Sequence, residues 1–359
     1  MNSTDKMREK VISIVAGGTA GHVFPAQALS QILSTKNKIL FFTDKRGSKY
    51  FDDETKITKL NISNISGSKK VLSLFKLGIA TLKCIFLLKT KKVRLAIGFG
   101  GLTSFPVLFS AKLLKIPIII HEQNSVLGKA NKFFARDAQL IATSYSETKG
   151  TENLDKVIYT GNPIRSSIFY SKRRRTRITN EIYIVVIGGS QGAKIMDEVV
   201  ARAITLLPAN VQENISIWQQ VRDENAIKGI YETSKVRNFS LSNFFQDAPQ
   251  LIANSDLVIT RAGASALAEI EHLNVPSIII PMALSADNHQ YHNAVHHIEK
   301  GIGVMLEEKE LSVENLLSKL NDLLVRNKLE QIRNVNCREN SSAQKLAVKV
   351  NEVIINLRL

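Results

Sequence analysis

The stretch Val11-Ile12-Ser13-Ile14-Val15-Ala16-Gly17-Gly18-Thr19-Ala20-Gly21-His22 decides the fold. A nearly unbroken apolar run turns through Gly-Gly-Thr-x-Gly directly into a segment with helical periodicity. Such a run reads as a strand covered on both faces. The arrangement returns at Ile182-Tyr183-Ile184-Val185-Val186-Ile187-Gly188-Gly189-Ser190-Gln191-Gly192-Ala193. A repeated strand, glycine turn and helix predicts two similar α/β domains in tandem. Further β-rich runs lie at 39–43, 95–98, 116–120 and 140–143, then at 215–219, 257–260 and 277–280. They alternate with helical stretches, which predicts two doubly wound parallel sheets. The hinge is expected within 166–180, where Lys172-Arg173-Arg174-Arg175 reads as a solvated linker.

A strand that turns tightly into a helix leaves unpaired backbone N–H groups, and glycine lets a phosphate reach them. Neither glycine turn has the G-x-G-x-x-G dinucleotide spacing or the Gly-Lys-Ser/Thr ending of a P-loop. Asp44 ends the second strand where a ribose-reading acid would sit, which keeps a nicotinamide enzyme as a competing reading. Two such turns at matching places favour a phosphate-bearing ligand in a cleft between the domains.

Composition narrows the class. The 359 residues allow two or three domains at about 150 residues each. Hydrophobic residues at 44% and charged residues at 22% describe an ordinary globular chain, not a fibrous or disordered one. Two cysteines, Cys84 and Cys337, give no disulfide framework and fit a reducing cytosol. Residues 1–10 are too polar for a secretory signal. No run of about 18 uninterrupted apolar residues offers a membrane span, so the chain reads as soluble or peripheral.

The formal net charge is +16, and it is unevenly placed. Through residue 166 there are 26 Lys and Arg against 11 Asp and Glu; beyond it there are 22 against 21. The first half therefore expects an anionic partner. Its densest stretch is 69–94, opened by Lys69, closed by Arg94 and free of acidic residues. Leu72, Phe75, Ile79 and Leu82 follow helical spacing there, between Lys69, Lys76 and Lys83. Periodicity allows two readings: a surface helix with its apolar side on the core, or one lying on an anionic bilayer. Nucleic acid is disfavoured, since aromatic residues are only 6% and no nucleic-acid module is present.

Polar residues gather just past the predicted strand ends, where open α/β sheets bind ligands. They are His22, Gly98-Phe99-Gly100-Gly101, His121-Glu122-Gln123-Asn124, Gly161-Asn162-Pro163-Ile164-Arg165, Arg261-Ala262-Gly263-Ala264-Ser265 with Glu269, and Asp287-Asn288-His289-Gln290-Tyr291. In this order, with the two glycine turns, the set closely resembles the MurG-type N-acetylglucosaminyltransferases of bacterial peptidoglycan synthesis. The resemblance covers nearly the whole chain. It implies a GT-B fold of two Rossmann-like domains. It also implies inverting transfer of N-acetylglucosamine (GlcNAc) from UDP-GlcNAc to the muramic acid 4-hydroxyl of lipid I, giving lipid II and UDP. The place implied is the cytoplasmic face of the inner membrane, with the protein peripheral.

The implied division is an acceptor and membrane-facing domain at 1–166, a donor domain at 167–340, and a helix at 341–359 packing back on the first domain. In the donor domain Glu269 would bind the ribose and the backbone at Phe245 the uracil. Ser190 and the helix start at Ala264, Ser265, Ala266, Leu267 and Ala268 would hold the diphosphate. Gln290 would touch the sugar, joined from the first domain by Asn124, Arg165, Thr19, Ala20 and Gly21. His22 is the first candidate for the base, because an imidazole titrates near neutrality; Glu122 is the second, with a loop-holding role as its alternative. No Asp-x-Asp pair occurs, so no metal or other cofactor is expected, and Arg261 with helix N-termini would stabilise the leaving UDP. His289, His292 and His296 share a helical face, but no cysteine or acidic residue completes a metal shell. The resemblance turns the reading of 69–94 toward the membrane. Ala20 stands where the family more often has glycine, and His289 where a relative has glutamine. Ser341 is expected to cap the final helix. Two further competitors are a GT-B enzyme with another lipid acceptor and a catalytically silent sugar-nucleotide-binding protein.

Overall fold

The computed structural model describes residues 10–52, 56–62, 70–169, 171, 181–189, 193–325, 328–333 and 340–358. Ser190, the run Lys172 to Arg175, Lys69 and Cys337 lie outside the described residues. The chain divides into two compact units, one of residues 1–165 with 340–359 and one of residues 166–339.

The first unit holds a parallel sheet ordered β3-β2-β1-β4-β5-β6-β7. Its strands are β1 (Lys10–Val15), β2 (Asn37–Asp44), β3 (Ile57–Leu60), β4 (Leu95–Gly98), β5 (Ile118–Glu122), β6 (Leu140–Thr143) and β7 (Val157–Tyr159). The alternation of β1 shows why its sequence is almost wholly apolar. Ile12, Ile14 and Ala16 enter one core with helix α1 (Ala20–Leu33), while Val15 enters a second core on the opposite face. Both faces are covered, so no polar alternation survives. The helix Ser342–Asn356 packs Leu346, Ala347, Val350 and Ile354 into the α1 side. Ser341 makes no side-chain capping bond; Asn340 Oδ1 accepts from the Ser342 N–H at 3.0 Å instead.

The second unit repeats the plan with the order β10-β9-β8-β11-β12-β13. Its strands are β8 (Ile182–Ile187), β9 (Ile215–Gln220), β10 (Asn238–Ser242), β11 (Leu257–Thr260), β12 (Ser277–Ile279) and β13 (Gly303–Met305). Ile184 and Val186 pack on one face of β8, and Val185 on the other.

Helix α2 (Lys70–Thr90) carries the apolar stripe, of which Phe75, Ile79 and Leu82 are among the described side chains. Ala80, Cys84 and Leu88 face the core, and the Ser110 hydroxyl donates to the Thr81 carbonyl at 3.0 Å. The opposite side carries Phe75 at 66% exposure, Ile79 at 52%, Leu82 at 68% and Phe86 at 66%. The apolar stripe points outward. Among the described residues no helix is long and apolar enough to cross a membrane.

Candidate active site

In each sheet the strand order reverses beside the first strand of the unit, between β1 and β4 and between β8 and β11. At such a switch point the loops leave in opposite directions and open a crevice at the carboxyl ends of the strands. The glycine turns at residues 17–21 and 188–192 follow β1 and β8, and the Gly98-Phe99-Gly100-Gly101 and Arg261-Ala262-Gly263 segments follow β4 and β11.

In the first unit Gly18 needs its missing side chain: its φ is 83°, and an added Cβ would lie 3.2 Å from Arg46 Nη2. Ala20, by contrast, starts α1 without left-handed backbone, so its methyl group costs the turn nothing. Thr19 caps α1 without a side-chain bond, and no acidic residue lies in the first turn. The helix dipole there favours negative charge, and the His22 and Val23 N–H groups turn back to the Thr19 carbonyl, each at 3.2 Å. His22 sits in that turn, with its Nδ1 3.2 Å from Thr19 Oγ1.

Asp44 is clamped rather than offered. It is 3% exposed, and Oδ1 accepts from the Gly18 N–H at 3.0 Å and the Gly47 N–H at 2.7 Å. Oδ2 accepts from the Thr103 hydroxyl at 3.1 Å and pairs with Arg46 at 3.5 Å. Burial alone would raise its pKa; these donors and the Arg46 charge outweigh burial and hold it below the usual carboxylate range. A carboxylate so engaged fixes the glycine turn and has no oxygen to read a ribose, which counts against the nicotinamide reading.

Glu122 behaves in the same way. Oε1 accepts from the N–H and Nδ2 of Asn124 at 3.0 and 3.1 Å, and Oε2 from the Gly128 N–H at 2.9 Å and Asn131 Nδ2 at 2.8 Å. At 2% exposure it holds the 121–131 loop, the alternative to its role as base. Asn124 is thereby oriented through Glu122. Arg165 lies over the Phe24 ring of α1, 4.3 Å from its centroid.

His121 is fully buried in β5, its Nε2 3.3 Å from the Gly161 carbonyl and its Nδ1 3.0 Å from Gln123 Nε2. Burial pushes its pKa from 6.5 down to about 4, against a smaller opposing pull from the Gly161 carbonyl. As pH falls, the unfolded chain therefore takes up the proton first. The contribution is complete above about pH 6.5 and is lost on descent toward pH 4. Relative to a His121→Gln variant, wild-type unfolding free energy is expected to fall by about 2–3 kcal/mol between pH 7 and 4.5. Urea unfolding at the two pH values measures it; a constant difference would contradict the buried neutral imidazole.

In the second unit the helix Ala264–Leu273 begins at Gly263, which supplies no capping side chain, and has no acidic residue in its first turn. Ala264, Ser265, Ala266, Leu267 and Ala268 form its opening turns, and Glu269 lies buried just beyond. Added Cβ atoms at Gly189 or Gly263 would meet nothing within 4 Å among the described residues. Phe245 follows β10, half-buried. Gln290 Oε1 accepts from the Met282 N–H at 3.0 Å, and His289 Nδ1 lies 2.7 Å from the Ala286 carbonyl. They open the helix His289–Glu299 directly after Asp287 and Asn288, whose φ values of 51° and 54° are left-handed. Non-glycine residues held in that region mark a turn maintained by its surroundings.

Arg261, expected to help stabilise the leaving UDP, follows β11 directly. It is buried, Nη1 donates to the Ile280 carbonyl at 3.2 Å, and Nη2 pairs with Glu308 Oε1 at 2.5 Å. Glu308 Oε2 also accepts from the Ala283 N–H at 2.6 Å. The Arg261 charge is matched by Glu308, and the pair ties the 281–283 segment to β11. Sequence reading missed Thr103, Glu308 and Gln220, whose partners are distant in the chain, and Asn131, which reaches back to Glu122 and His121; no local motif marks them. His289, His292 and His296 stand on one helix, and among the described residues no three His, Cys, Asp or Glu side chains group as a metal site.

Residues 12–143 match the glycosyltransferase family 28 N-terminal domain, and residues 183–350 its C-terminal domain. A Wolbachia pipientis (subsp. Culex pipiens) protein is 39% identical over 87% of this chain and 89% of its own. Another, from Wolbachia sp. (subsp. Drosophila simulans), is 38% identical over 94% and 95%. Both are named UDP-N-acetylglucosamine–N-acetylmuramyl-(pentapeptide) pyrophosphoryl-undecaprenol N-acetylglucosamine transferase. The chain belongs to this MurG-type family. The crystal structure of Acinetobacter baumannii MurG superposes with a TM-score of 0.75 at 24% identity, covering 96% of this chain and 99% of that one, which shows the shared GT-B fold.

Proposed function

We propose that the chain transfers GlcNAc from UDP-GlcNAc to the 4-hydroxyl of the muramic acid in undecaprenyl-linked lipid I, forming lipid II and UDP with inversion. The observation that carries this reading is relatedness to transferases of that name at 38–39% identity over most of both chains. The second unit takes the donor. The N–H groups opening the helix Ala264–Leu273, with Ser190, receive the diphosphate. Glu269 meets the ribose, the Phe245 backbone the uracil, and Gln290 the sugar. From the first unit Thr19, Ala20 and Gly21 face the transferred sugar and diphosphate, Asn124 and Arg165 reach the sugar, and His22 meets the acceptor hydroxyl.

His22 acts as base with its own proton on Nδ1, donated to Thr19 Oγ1, and takes the proton of the acceptor hydroxyl on Nε2. The acceptor oxygen attacks C1 of GlcNAc as its proton passes to Nε2, and the C1–oxygen bond to UDP breaks with the electron pair leaving on the diphosphate. Helix N-terminal N–H groups stabilise that charge without a metal ion. The enzyme sits peripherally on an anionic membrane surface, at the cytoplasmic face of the inner membrane; the outward stripe of α2, in a half of the chain rich in Lys and Arg, supports this reading.

The test is UDP release from UDP-GlcNAc with and without a soluble lipid I analogue, in EDTA. Release is expected only with the acceptor and undiminished by EDTA. UDP-GlcNAc binding without release would overturn the acceptor; loss of release in EDTA would overturn the metal-free mechanism.

A further inference from the structure

Gln220 ends β9, between the strands that lead into the two donor-side turns. Its side chain touches both. Oε1 accepts from the Gly188 N–H at 3.1 Å; Nε2 donates to the Gly189 carbonyl at 3.2 Å and to the Asn243 carbonyl at 3.0 Å. Gly188 and Gly189 open the second glycine turn, and Asn243 leads to Phe245. The Asn243 segment is held locally too, since the Ser242 hydroxyl donates to the Phe244 carbonyl at 2.9 Å. One amide therefore spans the backbones of two loops. Its neighbour Gln219 points into the core, where Nε2 donates to the Asp197 carbonyl and Oε1 accepts from the Tyr231 hydroxyl.

We infer that Gln220 is a positioning residue that sets the spacing between the diphosphate loop and the base-reading loop, and so makes diphosphate binding depend on the identity of the base. The inference rests on the donor site proposed above. An amide is required because the site needs an acceptor and two donors from a single planar group. A carboxylate would keep the Gly188 bond and face two carbonyl oxygens with no proton to offer.

The experiment measures dissociation constants for UDP and ADP, with KM and kcat for UDP-GlcNAc and a soluble acceptor analogue, in the full chain. In Gln220→Ala, UDP binding is expected to weaken about tenfold and the preference for UDP over ADP to fall about tenfold. KM should rise by a similar factor while kcat stays within about threefold. Gln220→Glu should lose the base preference as fully as Gln220→Ala. Gln219→Met serves as the core control, expected to lower Tm and leave the preference intact. A wild-type preference that survives in both Gln220 variants would overturn the inference alone. A wild-type chain that binds UDP no better than ADP would overturn the donor-site reading and this inference with it.

Discussion

His22→Ala is expected to lower kcat by about two to four orders of magnitude while the dissociation constant for UDP-GlcNAc changes little. The split follows from position. His22 belongs to the first unit, whereas the groups assigned to the nucleotide, at Ala264, Glu269 and Phe245, belong to the second. Removing the imidazole deletes a proton acceptor and no donor contact. Thr19→Val should give a smaller loss, about tenfold, because it frees the ring to present the wrong tautomer. Glu122 offers the contrast. All four of its hydrogen bonds come from the loop it organises, so Glu122→Ala should lower Tm as well as activity. Steady-state kinetics with a soluble acceptor, calorimetric UDP-GlcNAc binding and thermal melts separate these outcomes. Near-normal turnover in His22→Ala would remove it as the base.

Replacing Phe75, Ile79, Leu82 and Phe86 together with serine should weaken binding to anionic phospholipid vesicles by about 10²–10³-fold. Fully burying one such side chain is worth about 1.5–3 kcal/mol, and partial insertion of four reaches about 4 kcal/mol. The substitutions leave Ala80, Cys84 and Leu88 in place on the core side, so folding and turnover of a soluble acceptor should persist. Neutral vesicles should bind the wild type more weakly than anionic ones, since each basic residue near the surface adds about 1 kcal/mol. Co-sedimentation with vesicles of the two compositions reads both effects. Unchanged sedimentation of the quadruple variant would overturn the membrane assignment.

What the sequence made legible is what a two-sided sheet forces on its central strands. β1 and β8 must be apolar on both faces, and the turns after them must admit close approach, so both are visible as apolar runs ended by glycines. The strands that went unread are β3, β7, β10 and β13, the four edge strands of the two sheets. They are short, and sequences such as Ile57-Thr58-Lys59-Leu60 or Asn238-Phe239-Ser240-Leu241-Ser242 carry polar residues because fewer neighbours cover them. Helix α2 was ambiguous for the opposite reason: both of its faces are apolar, so spacing could not tell core from surface. The site was legible as residue types at strand ends and illegible as hydrogen bonds. The Glu308 partner of Arg261 comes from a segment distant in the chain, and Asp44 looks like a ribose reader until Gly18, Gly47 and Thr103 are seen to occupy it.

The helix Ser342–Asn356 bears on the order in which the protein can be made. Its Leu346, Val350 and Ile354 complete the core beside Val23, Ala26 and Leu29 of α1, yet the whole second unit is translated between them. On the ribosome the second unit is contiguous and can close as soon as it emerges, whereas the first must wait with one flank of its sheet uncovered. During that interval the exposed flank is a natural client for a chaperone, and a ribosome stalled anywhere in the second unit would hold a half-finished amino-terminal domain.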